Sequence, residues 1–267
     1  MSKKPFPIDH DLHVHTNLSS CSTDPQMTAD YLAAFAKAHG YRAACIANHL
    51  WDADVPGASG WYAPQDIGHV KRILPLPEAE GVEILFGCET EYCGGGKLGL
   101  APKHFDEFEM IIVPLNHYHM PGFVRPEDCE SEEAVSALLL SRLEELIELE
   151  LPWRNVGVAH LNECIYLFGA PYARSLALMP EDRLRRVFGS LARKGAGIEL
   201  NATCFESHWL DNRDGGFRLF RLAFEEGCKF YCGSDAHMRD SLGLVGERMR
   251  SVADELGLTA DDLFTPS

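Results

Sequence analysis

The stretch DHDLHVHTN, from Asp9 to Asn17, places three histidines within six residues beside two aspartates. Alternate residues of an extended chain face opposite ways. A strand here would therefore present Asp11, His13 and His15 on one face, with Leu12 and Val14 on the other. Burying two imidazoles and a carboxylate is costly unless an opposite charge meets them. Whether they form a site depends on what the rest of the chain brings to the same end.

Six further apolar runs have the length of buried strands: AACIA (43–47), VEILFGCE (82–89), MIIVPL (110–115), VGVAH (156–160), GIELN (197–201) and KFYCG (229–233). Short, continuous apolar runs suit strands covered on both faces. Helical stretches lie between several of them. Thr28 caps one that ends before Gly40, and Ser131, followed by Glu132 and Glu133, opens another. Pro180 starts a third, closed by Gly195, and a fourth runs from Arg218 to Gly227. Thr259 and Asp262 have the spacing of a capping box. Seven strands alternating with helices predict an α/β fold with a parallel, barrel-like sheet. No repeat or linker interrupts residues 1–267, which read as a single domain.

The formal net charge of −16 argues against a nucleic-acid polymer as the main partner, since such proteins carry a basic face. No run approaches the roughly 18 apolar residues of a membrane span. Lys3 and Lys4 are not followed by an apolar segment, so no signal peptide is expected. The nine cysteines are scattered and include no C-x-x-C pair. They read as reduced thiols, and the expected location is cytoplasmic.

On this strand assignment the polar residues cluster at one end. His13 and His15 end the first strand, His49 follows the second, and Glu89 ends the third. His117 or His119 follows the fourth, His160 ends the fifth, and Asp235 with His237 follows the seventh. H-x-H alone is weak: 12 histidines in 267 residues supply about half such a pair by chance. Convergence from six strands carries more weight. Imidazole and carboxylate together suit Zn, Mn or Fe, and eight donors fit two or three divalent ions sharing a bridging carboxylate.

DLHVHT, ANH, GCE, VAH and GSDAH resemble the successive motifs of the PHP (polymerase and histidinol phosphatase) superfamily of metal-dependent phosphoesterases. The resemblance spans roughly residues 9–240 and implies a distorted, TIM-like (β/α)7 barrel with a two- or three-metal centre. It further implies that His13, His15, Glu89 and Asp235 hold one ion. Glu89 would bridge to a second, held by His117 and His160, while His49 and His237 hold a third. Asp11 matches the family's leading aspartate and is expected to orient an imidazole. The sequence departs from the pattern where Asn48 precedes His49 in place of aspartate. It departs again at Cys21, which stands where some members have a further histidine; it is either a ligand or an ordinary cysteine. An extra residue in PLNHYH makes Asn116 the ungapped match, with His117 preferred and His119 held in reserve.

The remaining histidines, His10, His39, His69 and His104, are assigned structural roles. The loops at 50–63, 161–179 and 202–216 carry Trp51, Trp61, Tyr62, Tyr166, Tyr172, Phe205 and Trp209, either as loop packing or as walls around a substrate with a ring or apolar part. Arg213 is the candidate phosphate contact, with His208 beside it and Arg174 and Lys103 weaker. The expected reaction is hydrolysis of a small phosphate monoester, as in histidinol phosphatases, by metal-activated hydroxide. The alternatives are a nuclease or phosphodiesterase and a non-catalytic, metal-stabilised regulatory module.

Overall fold

The computed structural model describes residues 4–162, 174–205 and 213–267, with side chains from residue 215 in the last stretch. All seven apolar runs are strands: β1 His10–Val14, β2 Ala43–Leu50, β3 Glu83–Thr90, β4 Met110–Val113, β5 Val156–Val158, β6 Gly197–Asn201 and β7 Lys229–Gly233. They form one parallel sheet whose spatial order is the chain order. The result is a distorted, TIM-like (β/α)7 barrel. Its connections are uneven: a 3-10 helix at Pro102–Glu107 lies between β3 and β4, whereas the 14-residue helix Glu181–Lys194 precedes β6.

The barrel closes between β7 and β1, partly through side chains. The Asp235 N–H donates to the His13 carbonyl at 2.7 Å, and the His15 N–H to that of Ala236 at 3.1 Å. Lower down, His10 Nε2 accepts the Cys232 N–H at 2.9 Å, and Asp11 Oδ1 accepts the Ser234 N–H at 2.9 Å. Burial lowers the His10 pKa, which keeps the ring neutral and able to accept.

This seam corrects the reading of the first strand. The pairing register of β1 with β2 shifts between Asp11 and Val14. Such a bulge breaks strict alternation. Leu12 packs inside with Cys45, Leu85, Met110 and Tyr231, while His13 also faces the site. Among the described residues the Asp11 carboxylate meets backbone rather than an imidazole nitrogen. Its Oδ1 accepts backbone N–H groups from Ser234 and, at 3.3 Å, His13.

The predicted helix signals are in place. Thr28 accepts the Tyr31 N–H, Ser131 accepts that of Ala134, and Gly195 ends its helix at φ 85°. Thr259 and Asp262 form the capping box around a 3-10 turn. Among the described residues no helix is long and apolar enough to cross a membrane.

Candidate metal centre

Strand register sets the level of the site. His49 on β2 pairs with Glu89 on β3, so both project at the C-terminal rim. The β5 and β7 contributions come just past their strands, at His160 and Asp235. These two residues have positive φ, 26° and 53°, rare for side-chain-bearing residues and costly to hold.

Three overlapping groups result: His13, His15, Glu89 and Asp235; Glu89, His117 and His160; and His15, His49 and His237. In the first, His15 Nε2 lies 3.1 Å from both His13 Nε2 and Asp235 Oδ1, and 3.4 Å from Glu89 Oε2. His13 Nε2 lies 3.5 Å from the same two carboxylate oxygens. A tetrahedron with ligands at the Zn–N and Zn–O distance of about 2.0–2.1 Å has edges of about 3.3–3.4 Å. These five separations, 3.1–3.5 Å, are those of donors gathered around one ion.

Hydrogen bonds behind the rings fix the tautomers. His13 Nδ1–H donates to Glu199 Oε1 at 2.7 Å. His15 Nδ1–H donates to Ser19 Oγ at 2.9 Å, because the Ser19 hydroxyl hydrogen is committed to Asn48 Oδ1. His160 Nδ1–H donates to Asn116 Oδ1 at 3.1 Å, and the Asn116 amide is oriented by donating to the His160 carbonyl. His117 Nδ1–H donates to Glu91, and His237 Nδ1–H to the Asp235 carbonyl. Each of these five rings thus directs an Nε2 lone pair into the site. Lone pairs facing one another, or facing carboxylates, require a proton or a metal ion between them.

Glu89 spans two groups. Its Oε2 faces His13 and His15, while Oε1 lies 3.2 Å from His160 Nε2 and 3.7 Å from His117 Nε2. His49 Nδ1 approaches Oε2 to 2.7 Å, yet off the hydrogen-bond axis, and both atoms are buried without a hydrogen-bond partner. An orphaned carboxylate oxygen among imidazoles fits a set of divalent cations. In their absence protons serve: burial opposes it, but Glu89 and Cys21 hold the His49 pKa up to about 10. Burial would likewise raise the Glu89 pKa, and His49 and His13 keep it well below the usual range.

The structure places His117, rather than the exposed His119, among the donors. Cys21 lies against His237 and His49; burial would raise its thiol pKa, and those two contacts bring it down to about 6. His208, Tyr166, Tyr172, Trp209 and the side chain of Arg213 lie outside the described residues. Lys103 pairs with Asp54, and Arg174 with Glu132.

Sequence reasoning missed the residues behind the donors: Glu199, Glu91, Ser19 and the orienting role of Asn116. GIELN did carry a signal, a lone carboxylate inside an apolar strand. Glu199 is fully buried and makes β6 the seventh contributing strand. A Cβ on Gly233 would stand 2.1 Å from Glu199 Oε1 and 2.7 Å from His13 Cβ, so that pair needs glycine opposite it.

No family model matches the chain. It is 27% identical over 253 residues to probable phosphatases of a Thermoanaerobacter species and of Thermoanaerobacter pseudethanolicus, covering 94% of this chain and 87% of each relative. Among solved structures, it resembles the histidinol phosphate phosphatase of Lactococcus lactis, complexed with zinc, L-histidinol and phosphate, at TM-score 0.60 and 16% identity, over 96% of this chain and 98% of that one. It also resembles a putative histidinol phosphatase of Listeria monocytogenes, at TM-score 0.58 and 13% identity, over 88% and 97%. The fold read from the motifs is borne out: the chain has the fold of histidinol phosphate phosphatases, and its curated relatives are probable phosphatases.

Proposed function

We propose that this protein is a metal-dependent phosphatase that hydrolyses a small-molecule phosphate monoester. The observation that carries the reading is the convergence of imidazole Nε2 lone pairs on Glu89 and Asp235 at the open end of the barrel. The assignment is one ion on His13, His15, Glu89 and Asp235, a second on Glu89, His117 and His160, and a third on His49 and His237 with His15 and Cys21 in reach. Two or three such ions, Zn, Mn or Fe, would acidify a water and draw charge from the phosphoryl oxygens.

The protein's own residues then position and hold. Glu199, Glu91, Ser19 and Asn116 keep the donor rings in one tautomer and orientation, so little reorganisation is left for the reaction. Glu89 ties the first two groups at a fixed separation. Tyr62 donates to Glu91 at 2.6 Å and so fixes the cavity wall relative to His117. The partner is a small phosphorylated molecule, and the net charge of −16 disfavours a nucleic-acid polymer.

The test measures inorganic phosphate released from a panel of monoesters and the alcohol released from a panel of diesters, by protein reconstituted with Zn, Mn or Fe, beside a His13→Ala/His15→Ala control. Turnover of monoesters that the control abolishes is expected. Turnover of diesters or single-stranded DNA alone would move the assignment to a phosphodiesterase. Bound metal with no turnover would favour a regulatory module.

A further inference from the structure

The donor groups form only part of a cavity of 540 Å³, a volume within the range of small-molecule sites and far larger than a phosphate needs. His49, His117 and His237 line part of it, and Trp61, Tyr62, Met120 and Phe123 form an adjoining apolar wall. These are not incidental loop residues. Tyr62 is fully buried, its hydroxyl held by Glu91, and its ring lies 5.7 Å from Phe123 and 6.0 Å from Trp51. Trp61 stands perpendicular to Tyr62 at 4.7 Å and edge-on to His49 at 5.1 Å. It nevertheless remains 37% exposed, more than the partly buried Phe123 and the buried Tyr62.

We infer that this wall is the leaving-group subsite and that the preferred substrate is the phosphate monoester of an alcohol bearing an aromatic or flat apolar ring, with Trp61 as the specificity-determining residue. The inference rests on the phosphatase reading above and deepens it. The phosphoryl group sits against the donor groups, and the ring sits against Trp61 and Phe123, with the buried Tyr62 backing both. In the reaction a water oxygen bonds to phosphorus as the ester P–O bond breaks. The alcohol leaves with one proton of that water, and inorganic phosphate retains the other. No redox partner is needed.

Two features support a ring over a polar chain. Rings in edge-to-face or offset contact gain attraction beyond the area they bury. The wall is also locked in place by the Tyr62–Glu91 bond, so a flat ligand meets a preformed surface with little ordering cost. A polyhydroxylated leaving group would lose hydrogen bonds to water against Met120 and Phe123 without replacing them.

The experiment compares 2-phenylethyl phosphate with ethyl phosphate, both primary alkyl esters. Alongside it, calorimetry measures binding of 3-phenylpropylphosphonate and propylphosphonate, which cannot be hydrolysed. The metal-loaded protein is expected to favour the phenyl ester in kcat/KM by about 10–100-fold, mostly through KM, with the same order among the phosphonates. Trp61→Ala should cut both preferences by about tenfold or more, and Trp61→Phe should restore much of the loss. Equal treatment of the two esters, or a preference untouched by Trp61→Ala, would overturn the inference. Phosphonate preference without hydrolysis of any ester would sink the phosphatase reading and leave the subsite standing.

Discussion

His13 Nε2 and His15 Nε2 face each other at 3.1 Å while both rings carry their hydrogen on Nδ1. Two lone pairs at that separation repel unless a proton or a metal ion lies between them. The two carboxylates beside them, Glu89 and Asp235, make the demand for positive charge larger.

Glu199 is the residue that fixes the His13 tautomer. Removing a partner of this kind typically costs about 10–100-fold in metal affinity or activity. Glu199→Ala should show that loss, and Glu199→Gln less, since its amide oxygen still accepts from Nδ1–H. Gly233→Ala should act on the same pair by steric displacement and match Glu199→Ala in metal content measured by plasma emission.

Glu91 tests the groups separately. It contacts His117 but no donor of the first group. Glu91→Gln should weaken the ion on Glu89, His117 and His160 by about tenfold or more while the ion on His13 and His15 holds. Titration at limiting metal would then show one step weakened. Equal weakening of all steps would refute the division.

The fold was legible because the strands are buried on both faces and announce themselves as apolar runs between capped helices. The candidate donors were legible because each sits at the C-terminal end of a strand or within four residues past it. What lay behind them was not. His13 and Glu199 are 186 residues apart, and only the closed barrel brings them together. The face of Asp11 was misread for a local reason: the register shift in β1 leaves no mark on a sequence whose residues alternate so regularly. The sequence left His117 and His119 as alternatives, because only the path of the chain past β4 brings His117 beside Glu89 and His160.

Acidity should oppose metal binding. In the metal-free protein burial works against protonation of His13 and His49. Their carboxylate neighbours outweigh it, lifting His13 well above 6.5 and His49 to about 10. Groups with raised folded pKa values stabilise fully below about 6.5 and lose that contribution as pH climbs toward 10. Each ion must displace those protons, so affinity should tighten by about tenfold per pH unit per proton released. The gap in melting temperature between loaded and metal-free protein should therefore widen from pH 6.5 to 9. A gap independent of pH would contradict this.

Asn48 Oδ1 gathers three donors, the Thr16 N–H and the Thr16 and Ser19 hydroxyls. Asn48→Ala strands all three in the interior and should cost about 2–4 kcal/mol. At this chain length that is a fall of roughly 5–15 °C in Tm by calorimetry. Asn48→Asp, which keeps the accepting oxygen, should retain most of it.

Anomalous diffraction from crystals grown with zinc or manganese tests the central claim most directly. Peaks are expected within bonding distance of His13 Nε2, His15 Nε2, Glu89 and Asp235, and of Glu89, His117 and His160. Full-occupancy protein with no peak among these donors, or with its ions bound elsewhere, would contradict it.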